Sequence, residues 1–413
     1  MAWHQQPVLL RMCELLWPPP AELTIGRAAA GPVSANGTLP DDVRQPESTE
    51  FILVPGLRRP PLLVPAGQRV AGAAVRHYSG QRSRAARLAT RAFSVCLNSG
   101  LGGAIFRHRL TMRVPAGADT VETYLADLVR RDIRVGMYLG PPRANRKPVL
   151  HILTPDGQPV AFTKIGVNPL TSELVRAERD ALTRLERADL GGIAIPRVLH
   201  YGLWQGLDVL VMSALPAWLR HRPLSPPRLA EAMATLARVE GLRSGPLHGS
   251  HYIRRLRTRL AGADDEPDRV ALLWLVDEIA AKAGDTVLAY GAWHGDWAPW
   301  NMANTSDGLL LWDWERFTRD VPLGFDALHY RLQTELGLRH REPRAAATAC
   351  AQDAIRILVP FSVGAGAARV TGLLYLADLA TRYLSDRQAK AGARHGTPGS
   401  WLIPALTRAV AEL

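Results

Sequence analysis

The stretch His294-Gly295-Asp296-Trp297-Ala298-Pro299-Trp300-Asn301, with Asp313-Trp314-Glu315 beginning twelve residues after the asparagine, decides how this chain is read. Asp296 and Asn301 lie five apart, so one tight loop can aim both side chains the same way. From Asn301 the chain passes Met302-Ala303-Asn304, a turn signal at Thr305-Ser306-Asp307-Gly308, and the apolar run Leu309-Leu310-Leu311-Trp312. That pattern predicts a hairpin, which returns Asp313 to the neighbourhood of Asn301. A carboxylate and an amide oxygen brought together suit Mg²⁺, a hard cation usually held by few protein groups plus substrate phosphates. The other carboxylate, Asp296, is then free to take a proton from an attacking hydroxyl. These are the separations that a phosphoryl-transfer site needs. An isolated His-Gly-Asp tripeptide would be ordinary turn punctuation, and it is the full set that carries the reading.

Length and composition set the frame. The 413 residues suffice for two or three domains, and 47% hydrophobic with 21% charged content is that of a globular chain. No run of about eighteen apolar residues appears, and the start Met1-Ala2-Trp3-His4-Gln5 lacks the pattern of a secretion signal. Cys13, Cys96 and Cys350 are odd in number and far apart, which predicts buried thiols in a reducing cytoplasm.

The net charge of +12 is local. Between Glu50 and Asp119 there is no acidic residue, and that interval carries eleven arginines, so the remainder is near neutral. The basic segment 51–113 can be read as a surface for nucleic-acid phosphates, an anionic membrane or an anionic substrate, or as an Arg-biased accessory domain. No nucleic-acid-binding motif accompanies it, so nucleic acid is the unfavoured partner. A peripheral place at a membrane stays open. Of the 50 Lys plus Arg, only Lys147, Lys164, Lys282 and Lys390 are lysines. In such a background a lysine hints at a need for a compact ammonium rather than a planar fork.

The chain divides into three stretches. Residues 1–118 form a basic N-terminal extension, read as irregular at first, with a short helix around Val8–Leu16. Short strands follow at Phe51–Pro55 and Pro61–Val64, then a helix over 82–97. Residues 119–216 predict a small antiparallel lobe with strands at 133–139, 148–154, 159–165, 200–203 and 208–212, and a helix over 172–188. Residues 217–413 predict a larger helical lobe, with helices at 225–241, 250–261, 267–283, 324–338, 344–358, 366–387 and 400–412. A strand-rich lobe followed by a helical one predicts a ligand-binding cleft at their junction.

Over residues 119–413 these features resemble the aminoglycoside phosphotransferase and choline kinase-like group of the protein-kinase-like fold, an α+β class. The resemblance implies ATP or GTP with Mg²⁺, and transfer of the γ-phosphoryl group to a small-molecule hydroxyl on a sugar, amino alcohol, aminoglycoside or lipid-linked glycan. It makes Asp296 the catalytic base, Asn301 and Asp313 the metal ligands, and Lys164 the grip on the α- and β-phosphates. Glu178 becomes the partner of Lys164, chosen over Glu173 because it shares a flank with Leu174, Ala181 and Leu182. Ser213-Ala214-Leu215 becomes the hinge that meets the purine, and Asp326 braces the catalytic loop.

Two departures stand out. The loop Gly140–Lys147 is not glycine-rich, so Arg143, Arg146 or Lys147 would supply the charge facing the phosphates. Trp297 and Trp300 replace smaller residues and can be pocket wall or core. Only twelve residues separate Asp313 from Asp326, too few for a peptide-docking segment, and Gly295 stands where an activatable kinase has arginine. Both point to a small acceptor. The competing reading is a catalytically inactive kinase-like scaffold that only binds nucleotide.

Overall fold

The computed structural model describes residues 7–27, 47–56, 59–77, 92–99, 108–264, 267–392 and 395–413. By internal packing the chain forms two units. The first comprises Met1–Pro141, Lys147–Val167 and Val198–Trp218, the second Pro142–Arg146, Asn168–Arg197 and Leu219–Leu413.

The first unit is built on one antiparallel sheet. In chain order its strands are β1 (Glu22–Arg27), β2 (Glu47–Gly56), β3 (Arg59–Pro65), β4 (His108–Val114), β5 (Arg134–Leu139), β6 (Pro148–Leu153) and β7 (Pro159–Gly166). After β8 (Ile193–Ala194), which belongs to the second unit, come β9 (Val198–Trp204) and β10 (Leu207–Ser213). The order across the sheet is β1-β4-β2-β3-β5-β6-β7-β10-β9. Strands of the basic extension therefore run on into those of the following stretch, through the β3–β5 pairing of Leu62 with Tyr138 and Leu63 with Met137. The expected boundary after residue 118 falls just ahead of helix Val121–Val129, inside this unit.

Alternation explains the uninterrupted apolar runs in β2 and β3. Phe51, Leu53 and Leu63 face one core, shared with Leu9, Cys13 and Leu16 of helix Pro7–Leu16 and with Leu150, Ala161 and Val209. Ile52 and Val64 face the other side, beneath Val70, Ala71 and Ala74 of helix Gln68–His77. Strands buried on both faces need apolar residues at every position, so their period of two is hidden. The same reasoning hid helix Gln68–His77, absent from the sequence reading. Of the helix expected over 82–97, residues 82–91 lie outside the described residues, and 92–97 are helical, as is residue 98. The side chains of eight of the eleven arginines (58, 59, 76, 82, 84, 87, 91 and 107) also lie outside them. Of the others, Arg109 is buried and pairs with Glu50 at 3.5 Å.

The second unit is mainly helical. Helix Ala365–Ser385 is buried on almost every side and packs against helices His251–Ala261, Pro267–Ala283, Phe325–Gln333, Pro343–Gln352 and Pro398–Ala411. Its Ala- and Leu-rich sequence suits a helix that is apolar all round and surrounded by others. Small sheets flank the His294–Asn301 loop. β11 (Arg243–Pro246), β12 (Val287–Trp293) and β15 (Thr318–Pro322) form one, and β13 (Met302–Thr305), β14 (Gly308–Leu311) and β8 the other. Among the described residues no single helix is long and apolar enough to cross a membrane. Burial pushes the thiols of Cys13 and Cys350 up to about 12, which leaves them as unreactive core groups.

Candidate active site

The His294–Asn301 stretch leaves the end of β12 and leads into the β13–β14 hairpin. Met302 pairs with Leu311 and Thr305 with Gly308, closing a two-residue turn at Ser306-Asp307. Trp312 N–H then donates to Asn301 O at 3.0 Å, so the hairpin sets Asp313 just beyond the asparagine, as the turn chemistry predicts. Asp313 itself takes a left-handed backbone, φ +73°. Such a conformation is uncommon outside glycine, and it persists where the surroundings over-determine it.

Glycine is required at 295. Its φ is +82°, and a Cβ there would sit 2.2 Å from Arg316 O. No side chain of any kind fits, which gives the physical reason for glycine in place of arginine. The backbone around it is pinned from three directions. Asp326 accepts the N–H groups of His294 at 2.8 Å and Gly295 at 3.2 Å, and Arg382 donates to Gly295 O at 2.7 Å. Asp326 is buried, and burial pushes its carboxyl up to about 7 against the two N–H bonds, which favour the anion.

His294 is fully buried and orients rather than titrates. Asp296 N–H donates to its Nδ1 at 3.1 Å, so Nδ1 carries no proton, and Nε2 lies 3.2 Å from Trp312 O as the donor. Burial holds its pKa down at about 4, so it stays neutral at pH 7.

The Asp296 carboxylate is held at both oxygens. Oδ1 lies 3.1 Å from His329 Nε2, and Oδ2 accepts from Asn301 Nδ2 at 2.9 Å. Burial alone would raise this carboxyl. The hydrogen bond from His329 and the charge of Arg382 outweigh it, leaving the group below the ordinary aspartate range. A second bond runs from Asn301 Nδ2 to Asp296 O at 2.9 Å. With its amide hydrogens committed to Asp296, Asn301 has Oδ1 left to offer a cation.

The acidic groups converge elsewhere in the same unit. Ligand atoms of Glu178, Asp313 and Glu315 all lie within 4.8 Å of one another. Glu178 comes from helix Pro169–Leu185, which starts earlier than expected because Asn168 caps it, with Pro169 in the first turn. Glu178 is fully buried and accepts the Trp314 N–H at 3.1 Å. Glu178 and Glu315 are buried and Asp313 is half-buried, and a cation that joined the three would offset their mutual repulsion; oxygen donors of this kind fit Mg²⁺. Glu315 is the ligand candidate that the sequence reading passed over, although Asp-Trp-Glu spacing was its visible signal. Glu315 Oε1 also accepts from Asn145 Nδ2 at 3.0 Å, and Gln388 Oε1 accepts the Ala144 N–H at 3.3 Å, so loop Pro142–Arg146 is tied within the second unit. Arg143 of that loop is exposed.

The remaining candidates belong to the first unit. Lys164 is buried on β7, paired with Val149 of β6 and Leu210 of β10. It shares a sheet face with Phe162, whose ring stacks on His151 at 4.4 Å, opposite the face that carries Ala161 and Ile165 into the core. Ser213 ends β10, and Leu215 O accepts the Ala217 N–H at 2.7 Å. The two tryptophans divide: Trp297 is fully buried and donates to Met302 Sδ at 3.3 Å, whereas Trp300 is partly exposed and packs on Gly337.

Residues 149–324 match the profile of the phosphotransferase enzyme family. No curated protein sequence matches the chain. Among solved structures, a thermostable mutant of aminoglycoside phosphotransferase APH(4)-Ia, bound to ADP and hygromycin B, is 13% identical with a TM-score of 0.44, covering 70% of this chain and 98% of that one. Choline kinase LicA from Streptococcus pneumoniae is 14% identical with a TM-score of 0.42, covering 64% of this chain and 90% of that one. Amicoumacin kinase hAmiN, with AMP-PNP, Ca²⁺ and Ami, is 12% identical with a TM-score of 0.39, covering 64% and 86%. Residues 149–324, which hold Lys164, Glu178, the His294–Asn301 loop and the Asp313 hairpin, are thus similar to the phosphotransferase enzyme family.

Proposed function

We propose that this chain is a Mg²⁺-dependent phosphotransferase that moves the γ-phosphoryl group of ATP or GTP to a hydroxyl of a small molecule. The observation that carries the reading is Asp296, a carboxylate kept ionised and held by a donor at each oxygen, beside Asn301 and one hairpin away from a cluster of three carboxylates, two of them buried. Asp296 takes the proton of the acceptor hydroxyl as its oxygen attacks the γ-phosphorus. The bond between that phosphorus and the bridging oxygen breaks, and the nucleoside diphosphate leaves. Asn301, Asp313, Glu315 and Glu178 would hold the cation, whose charge offsets that of the phosphate oxygens. Lys164 supplies the ammonium for the α- and β-phosphates, and the Ser213–Leu215 backbone the purine contact.

Support for a small acceptor comes from what fills the stretch between Asp313 and Asp326. Thr318–Pro322 is strand β15, paired with β12, so these residues build the site's own sheet instead of a peptide-docking segment. The acceptor proposed is a hydroxyl of a sugar, amino alcohol, aminoglycoside or lipid-linked glycan.

Replacing Asp296 by Asn keeps the size and one of the two donor contacts, since an amide has a single oxygen to accept with, while removing the base. Transfer should fall by about a thousandfold or more, with nucleotide-dependent thermal stabilisation retained. Turnover that survives the change removes Asp296 as the base. Stabilisation by nucleotide without turnover in the wild-type protein would favour the inactive scaffold.

A further inference from the structure

We infer that His329 is a positioning residue for Asp296, locked in one tautomer by Tyr375; this rests on the reading of Asp296 as the base. His329 is 1% exposed, on helix Phe325–Gln333, three residues after Asp326. At that spacing the two side chains leave the same face of the helix. One helical turn therefore fixes the catalytic loop twice. Asp326 holds its backbone at His294 and Gly295, and His329 holds the Asp296 side chain.

The proton placement follows from chemistry. An ionised carboxylate only accepts, so the 3.1 Å contact between Asp296 Oδ1 and His329 Nε2 puts the hydrogen on Nε2. The neutral ring then has a bare Nδ1, and Tyr375 Oη, 3.1 Å away, must donate to it. Burial pushes His329 down and Tyr375 far up, so the ring stays neutral and the phenol keeps its proton. Trp293 and Tyr375 stand edge-on to the imidazole at 6.3 and 6.0 Å and restrict its rotation.

The result is a one-way chain of donors, Tyr375 to His329 to Asp296. Because Nε2 already carries a hydrogen, the imidazole cannot receive the proton that Asp296 takes up. Its part is to keep the carboxylate from turning. With Asn301 on Oδ2 and His329 on Oδ1, each oxygen spends one lone pair on the protein and presents the other to the acceptor hydroxyl.

The test compares His329→Leu, His329→Gln and Tyr375→Phe with wild type, using Mg-ATP as the probe and water in place of the acceptor. Two readouts are taken: the rate of ADP release, and the imidazole ¹⁵N spectrum. In His329→Leu, kcat should fall by about tenfold or more while KM for ATP moves by less than about twofold, because the nucleotide's own contacts are untouched. His329→Gln, whose side-chain N–H can reach Oδ1, should recover to within about threefold of wild type, with Tyr375→Phe between the two. The wild-type spectrum should contain a neutral Nε2–H ring that disappears in His329→Gln and shifts in Asp296→Asn. Leu and Gln variants that are equally active or equally impaired would overturn the inference, as would a KM that moves with kcat. If Leu at 329 prevents folding, the Gln and Phe variants decide. If wild type releases no ADP, the phosphotransferase reading fails by itself, and the spectrum still decides: an imidazole signal indifferent to Asp296→Asn overturns the contact.

Discussion

Replacing Gly295 by alanine should damage both stability and turnover, and the amount can be worked out from two glycines of the same unit. Gly295 and Gly241 have nearly the same backbone, φ +82° and +84°. An L side chain in that region costs about 1 kcal/mol in either place. At Gly241 an added Cβ meets nothing within 4 Å, whereas at Gly295 it would lie 2.2 Å from Arg316 O and 2.8 Å from Arg316 Cβ. Relaxation is blocked on the other side, where Asp326 and Arg382 hold the peptide groups of Gly295. Overpacking of this kind adds about 1–3 kcal/mol, so Gly295→Ala should cost about 2–4 kcal/mol and Gly241→Ala about 1. Forcing the loop aside by about an ångström also misplaces Asp296, with about a hundredfold loss of turnover in Gly295→Ala alone. Urea denaturation of both variants beside wild type, with ADP release measured on each, reads both effects. Equal destabilisation of the two variants, or full turnover in Gly295→Ala, would refute the argument that close approach to Arg316 fixes this loop.

Two further outcomes are expected. The Asp326 carboxyl is pushed from 3.8 to about 7, so between those values the native state keeps a proton that the unfolded chain has released. Its contribution is fully present below pH 3.8 and is lost as pH rises toward 7, with a slope of up to about 1.4 kcal/mol per pH unit. The stability difference between wild type and Asp326→Asn, followed from pH 5 to 8, should therefore move against wild type and level off; a difference independent of pH contradicts the buried-carboxyl reading. Lys164→Met should weaken Mg-ATP binding by about tenfold or more by calorimetry, and unchanged affinity would remove Lys164 from the nucleotide site.

The sequence exposed those parts of the site that local chemistry dictates. The hairpin joining Asn301 to Asp313 was visible because a Thr-Ser-Asp-Gly turn between short apolar runs has few other readings, and the structure forms it with Met302 opposite Leu311. Several helices of the second unit were visible because they present an apolar face at a period of 3.6, whereas Ala365–Ser385 is apolar nearly all round. Residues that act through long-range convergence were not. His329 reads as one more polar residue on a helix, and only the fold reveals that it faces Asp296 from 33 positions away. Glu315 is similar, since its closeness to Glu178 depends on a helix from a distant part of the chain. In the basic extension, strand pairing ignores surface charge, and β3 joins β5 directly. Strands β1 and β4, paired from Glu22 with Arg113 to Arg27 with His108, went unread because neither has a local turn to announce it.

The most direct measurement supplies purified protein with Mg²⁺, ATP or GTP, and a small-molecule extract, and follows the products by mass spectrometry. The account predicts a compound heavier by one HPO₃ group, formed with an equal amount of nucleoside diphosphate. That product should be missing with the Asp296→Asn variant and when EDTA removes the cation. A product formed equally by that variant, or in the absence of divalent cation, would contradict phosphoryl transfer by Asp296 at this site.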